Sequence, residues 1–176
     1  SPDEIQNYII YQIGALQAFC AVNGTRVRHV KPHGNLYNTA VENPSVARAV
    51  AEAILSVSPD LIYVALAGAG GETVTRIGKE MGLNVAHEAF ADRAYTPEGT
   101  LVSRRRPGAV IKDRETVAER VLMMAKEGKV IAVDGTEIPL APETICVHGD
   151  TPGAVDLVKG IRERLEAEGI DVRPMG

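Results

Sequence analysis

Helical and extended hydrophobic patterns take turns along this chain. Ser1-Pro2-Asp3-Glu4 predicts a helix start, with Ser1 as N-cap, Pro2 at the first helical position and Glu4 completing a capping box. Apolar residues then recur at helical spacing as far as Asn23-Gly24, which predicts the stop. "VRHV" (27–30) predicts a short strand, and "NPSVARAVAEAILSV" a helix with Asn43 or Ser45 near its cap. "DLIYVALA" (60–67) is rich in apolar and β-branched residues, as in a strand covered on both faces. A glycine-rich turn from Gly68 to Gly71 leads into a short helix ended by Gly82, and "LNVAHEAFA" predicts the next strand. Asp113 caps and Gly128 ends a predicted amphipathic helix, followed by a hairpin turning on Asp134-Gly135. "TICVHG" predicts a strand. "DTPGAVDLVKGIRERLEAEG" predicts a long helix capped by Asp150 or Thr151 with Pro152 inside it, and "IDVRP" a last short strand.

Strands that alternate with helices imply a parallel sheet in an α/β fold, open or closed into a barrel. Four or five βα units fall short of the eight of a complete barrel. A chain of 176 residues fits a single α/β domain spanning 1–176. The longest irregular piece, 92–112, predicts either function or an unrecognised element. Having no initiator methionine and opening on a helix cap, the chain reads as beginning partway through a fold.

Composition narrows the function classes. A net charge of −4 and a pI near 5.6 argue against nucleic acid, whose phosphates select a basic surface. Aromatic content of 4%, with no tryptophan, leaves little for base stacking. Cys20 and Cys146 lie in apolar runs without metal-like spacing, as expected of a reduced cytoplasmic protein. No apolar stretch reaches the ~20 residues of a membrane span, and no signal peptide opens the chain.

Ligands of parallel α/β folds bind beyond the C-terminal ends of the strands. Candidate chemistry therefore lies at Lys31 and His33, at Glu88, Asp92 and Arg93, and at His148 and Asp150. Lysine, histidine and carboxylate together bind an anion, move a proton and polarise a carbonyl. Each has a plainer role: His33 as a loop hydrogen-bonder, His148 as a turn residue, Asp150 as an N-cap, and His29 as a structural strand residue. Arg104 to Arg106 fit either phosphate or a solvated face. Gly68–Gly71 matches neither a P-loop nor a complete dinucleotide fingerprint. Pro32 prevents the helix that would align His29 and His33 on one metal ion.

Four phrases, "HVKPHGNLYN", "EAFADRAYTPEGTLVSRRRPGAVI", "DGTEIPL" and "TICVHGDTPGAV", resemble the LamB/YcsF family, the family of 5-oxoprolinase A subunits, in order and over essentially the whole chain. The resemblance implies a partial or distorted (β/α) TIM-like barrel related to polysaccharide deacetylase-like barrels. It implies opening of the lactam 5-oxoproline to L-glutamate with ATP as co-substrate, in company with subunits B and C. Family members are about half as long again, and they open with Asp-x-Asn-x-Asp-x-Gly-Glu and Asn-x-Ala-Cys-Gly-x-His-x-Gly-Asp phrases that this chain lacks. The chain then corresponds to the C-terminal two thirds of a larger barrel, with an open sheet edge that invites pairing or a homo-oligomer. On this resemblance Lys31 contacts an anion or phosphoryl group and His33 transfers a proton or contacts an oxyanion. His148 and Asp150 pair across the site, Asp92 and Arg93 fix substrate or orient neighbours, and Tyr37 and Asn38 add hydrogen bonds. The alternatives are a metal-dependent deacetylase or amidohydrolase with a divalent ion, and a non-catalytic subunit that binds the lactam.

Overall fold

Local capping chemistry sets three of the helix starts in the computed structural model, which describes residues 1–150 and 153–175. The Ser1 hydroxyl accepts from the Glu4 amide while the Glu4 carboxylate accepts from the amino terminus, and α1 (Pro2–Val22) starts there as a capping box. The Asn43 side chain accepts from the Ser45 and Val46 amides to open α3 (Pro44–Val57). Asp113 caps α5 (Arg114–Glu127), which Gly128 ends in the left-handed conformation.

Two compact units divide the chain, the first comprising 1–66 and 71–86 and the second 67–70 and 87–175. The first unit holds α1, β1 (His29–Val30), α2 (Asn35–Glu42), α3, β2 (Ile62–Leu66), α4 (Glu72–Glu80) and the start of β3 (Asn84–Phe90). β1 runs parallel to β2, with His29 opposite Ile62 and Val30 opposite Tyr63. Ile9 and Ile13 of α1 meet Val50 and Ile54 of α3, and Tyr63, Val74 and Ile77 complete that core. Tyr63 is fully buried, and burial alone pushes its phenol far up from the usual tyrosine value.

In the second unit the remainder of β3 pairs in parallel with β6 (Thr144–Cys146). α5 and α6 (Ala154–Ala167) bury Val117, Val121, Leu157, Ile161 and Leu165 together with Ala91. β4 (Lys129–Ile131) and β5 (Glu137–Pro139) form the expected antiparallel hairpin. The strand order of the larger sheet is β1-β2-β3-β6.

One helix was not anticipated and two expectations are corrected. α2 begins at Asn35 behind Gly34, whose φ of 61° breaks the chain direction. α6 begins at Ala154 with Gly153 as its N-cap at φ 81°, so Asp150 does not cap it, and the expected Thr151 cap and Pro152 lie outside the described residues. "IDVRP" forms no strand, since residues 170–175 have no ladder partner. Within 92–112, two isolated antiparallel bridges, Arg93–Val110 and Tyr95–Leu101, fold the segment back on itself around Ala94, Val102 and Ala109.

Candidate active site

The β3–β6 ladder sets the geometry of the candidate site. Glu88 lies opposite Thr144, Ala89 opposite Ile145 and Phe90 opposite Cys146, and the Ala91 amide donates to the Cys146 carbonyl just beyond. The same offset carried two residues further places Asp92 opposite His148. Side chains alternate across a strand, so Ala91 faces the helices while Phe90 and Asp92 face the other way.

His148 Nδ1 lies 2.9 Å from Asp92 Oδ1 and 3.2 Å from Oδ2. A carboxylate only accepts, so Nδ1 carries the donated proton and Nε2 presents its lone pair. The Asp92 side chain is 1% exposed and that of His148 12%, so little of the pair reaches solvent. Phe90 stacks on the imidazole with centroids 5.6 Å apart and planes 17° apart, fixing its rotation. A histidine held in one tautomer by a buried carboxylate is equipped to take a proton from water or return one to a leaving group.

Arg93 is buried and serves the backbone. Its Nη2 donates to the Val102 carbonyl at 2.6 Å and its Nε to that of Ala109 at 3.3 Å. Burial, and then the charge of Arg104, push the Arg93 guanidinium down from its usual value, with Asp92 and Tyr95 acting the other way. Arg120 Nη2 donates to the Arg93 carbonyl. Tyr95 Oη accepts the Phe90 amide at 2.9 Å, and burial pushes its phenol up to about 12. The phrase Phe-Ala-Asp-Arg-Ala-Tyr thus gives Phe90 and Asp92 to the imidazole, and Arg93 and Tyr95 to anchoring the segment around it.

The expected His148–Asp150 pairing is replaced by His148–Asp92. Asp150 is exposed and instead lies 3.5 Å from Arg104 Nη1. In the first unit, Lys31 is half-buried directly after β1, and His33 is exposed just before α2. Tyr37 is buried in α2 and Asn38 exposed on it. His87, which the sequence did not single out, bonds Glu143 through Nδ1 at 2.9 Å, one residue before the paired ladder begins. The constant 56-residue separation of His87–Glu143, Phe90–Cys146 and Asp92–His148 is the signal that identifies the true partner of His148.

The glycine run has a packing role. A Cβ on Gly71 would lie 1.7 Å from the Leu66 carbonyl oxygen, and one on Gly68 would lie 2.8 Å from that of Pro139. These glycines allow backbone to approach backbone, and no phosphate cradle needs to be invoked. Among the described residues, no three His, Cys, Asp or Glu side chains group so as to hold a metal ion. Nor is any helix among them long and apolar enough to cross a membrane.

The LamB/YcsF family profile matches residues 1–176. The chain belongs to this family. Among LamB/YcsF relatives, the 5-oxoprolinase A subunit of Pyrococcus furiosus is 55% identical over 176 residues, which is 100% of this chain and 68% of that protein. The protein of the same name from Natranaerobius thermophilus is 55% identical over 174 residues, covering 99% of this chain and 66% of the relative. The crystal structure of a lactam utilization protein from Thermus thermophilus superposes with a TM-score of 0.90 at 41% identity, covering 99% of this chain and 68% of that one. The chain therefore spans about two thirds of the length of the LamB/YcsF proteins it matches. Its fold is that of a partial TIM-like barrel, as the family phrases implied.

Proposed function

We propose that this chain acts as a 5-oxoprolinase A subunit, working in the cytoplasm with partner subunits B and C to open 5-oxo-L-proline to L-glutamate. The observation that carries the reading is 55% identity over all 176 residues to a protein of that name. The site geometry supports it by supplying an oriented acid–base group.

A lactam amide is a poor electrophile, because nitrogen donates into its carbonyl. ATP, as co-substrate, converts the lactam oxygen into a phosphate leaving group. Water adds to that carbon and the ring C–N bond breaks, which frees the ring nitrogen as the amino group and leaves an acyl phosphate. A second water then hydrolyses the acyl phosphate to the side-chain carboxylate of glutamate and inorganic phosphate. His148 takes the proton from the attacking water through Nε2 and returns one to the departing nitrogen, while Asp92 stabilises the imidazolium formed between the two steps. Phe90 keeps the ring in plane throughout. In the first unit, Lys31 and His33 are assigned to an anionic oxygen of the substrate or of the phosphoryl group, and Tyr37 and Asn38 to hydrogen bonds, while Arg93 in the second unit orients the segment that follows Asp92.

The test is 5-oxoproline-dependent phosphate release by the chain assembled with its partner subunits, beside a relative of full family length. Release that requires both ATP and 5-oxoproline, and that falls in Lys31→Ala and His33→Ala, is the expected result. Hydrolysis without ATP, or lactam binding with no turnover in the complete assembly, would overturn it.

A further inference from the structure

We propose that Arg104 anchors the carboxylate of an anionic lactam beside the Asp92–His148 pair, displacing Asp150 as it does so. The inference rests on the lactam-opening reading and adds to it a residue that selects the acid over the neutral lactam.

Arg104 stands on a built turn. The Arg106 amide donates to the Ser103 carbonyl at 2.9 Å, the Arg105 amide to the Ser103 hydroxyl at 3.4 Å, and the Ala109 amide to the Arg106 carbonyl at 3.2 Å. Both flanks of this turn are tied to one buried side chain, since Arg93 holds the carbonyls of Val102 and Ala109. Arg93 directly follows Asp92, so the turn is positioned from the same strand end as the acid–base pair.

The neighbouring guanidinium groups of buried Arg93 and half-buried Arg120 already donate to backbone carbonyls. Arg93 directs Nε and Nη2 at carbonyls, and Arg120 directs Nη2 at the Arg93 carbonyl. Arg104 reaches the 148–150 segment itself, with Nη1 3.5 Å from Asp150 Oδ2. The Asp150 carboxylate thereby marks where this guanidinium receives a carboxylate. The side chains are 48% and 71% exposed, so the contact is weak and exchanges readily for an incoming ligand. Guanidinium offers two parallel donors to a carboxylate, a geometry that a long, exposed contact to Asp150 leaves unused.

The experiment compares 5-oxoproline with 2-pyrrolidinone, the same lactam lacking the carboxylate, by calorimetry and by steady-state kinetics on the protein assembled with its partner subunits. The wild type should prefer 5-oxoproline. Arg104→Ala should weaken 5-oxoproline binding about 10- to 100-fold, the range for a charged hydrogen-bonded contact, and leave 2-pyrrolidinone unchanged. The loss should appear in KM, with kcat nearly constant. Arg104→Lys should recover part of it, and Asp150→Asn should tighten 5-oxoproline binding. Full retention of the preference for 5-oxoproline in Arg104→Ala overturns the anchor while leaving lactam opening intact. A wild type that binds neither lactam overturns both.

Discussion

Asp92 meets His148 across the end of a parallel ladder, Oδ1 2.9 Å from Nδ1, with neither residue adjacent to the other in any local motif. Asp92→Asn keeps the size of the side chain but offers an amide that can bond Nδ1 as donor, favouring the wrong tautomer. The expected outcome is a kcat lowered by about two to four orders of magnitude with a smaller change in KM, measured as 5-oxoproline-dependent phosphate release. A kcat within a factor of two or so of wild type would remove His148 from the proton path.

Arg93 predicts the behaviour of a segment it does not belong to. In Arg93→Lys the ammonium cannot reach both the Val102 and Ala109 carbonyls at once, so the 103–108 turn loosens. Limited trypsin digestion should then cut after Arg104 and Arg105 faster than in the wild type, while the bond before Pro107 stays resistant. Equal cleavage rates would show that the turn is held by something else.

Tyr95 ties stability to alkaline pH. Its phenol is raised from 10.0 to about 12 by burial, so the folded state holds this proton more tightly than the unfolded chain. The resulting stabilisation is complete below the unfolded value of 10.0 and is lost as pH climbs through about 12. Tyr95→Phe should remove that part of the alkaline loss, read from denaturant midpoints across the range. At neutral pH the same variant leaves the Phe90 amide without its acceptor and should cost about 1–3 kcal/mol.

Asp113 carries the opposite sign. Its hydrogen bonds to the Thr116 side chain and amide lower its carboxyl below the ordinary aspartate value. The stabilisation is present above the unfolded value and disappears as pH falls through the lowered one. Asp113→Ala should melt at a lower temperature than wild type at neutral pH, and the two melting curves should converge in acid.

Gly71→Ala tests the packing role of the glycine turn. The added methyl would overlap the Leu66 carbonyl at 1.7 Å, a backbone atom that cannot rotate away. The expected loss is at least ~2 kcal/mol, as for other steric insertions into packed backbone. A neutral outcome by chemical denaturation would mean that this turn shifts freely.

What was readable from sequence follows the range of the interactions involved. Ser1, Asn43 and Asp113 cap helices through contacts within three residues, and all three were legible. α2 was not, because Pro32, His33 and Gly34 read as a turn and Gly34 opens the helix without a side-chain cap. Asp150 beside a predicted helix start looked like a cap, yet the N-cap of α6 is Gly153. Strand ends pointed to Asp92 and His148 only as separate candidates. Their partnership depends on which residue of β3 lies beside which residue of β6, and no local pattern encodes that register. The neighbours that Arg93 orients were hidden for a similar reason: its carbonyl partners lie 9 and 16 residues away on a folded-back segment.

The equal spacing along β3 and β6 has one more consequence. A slip of a single residue would turn the His148 ring toward the helices and bring Ala91 or Arg93 beside it, abolishing the pair without altering a single side chain. The lengths of the intervening loops are, by contrast, irrelevant to the pair so long as the ladder closes in phase. The Asp92–His148 couple is in this sense a readout of strand alignment, and a chain that folds out of register lacks it from the start.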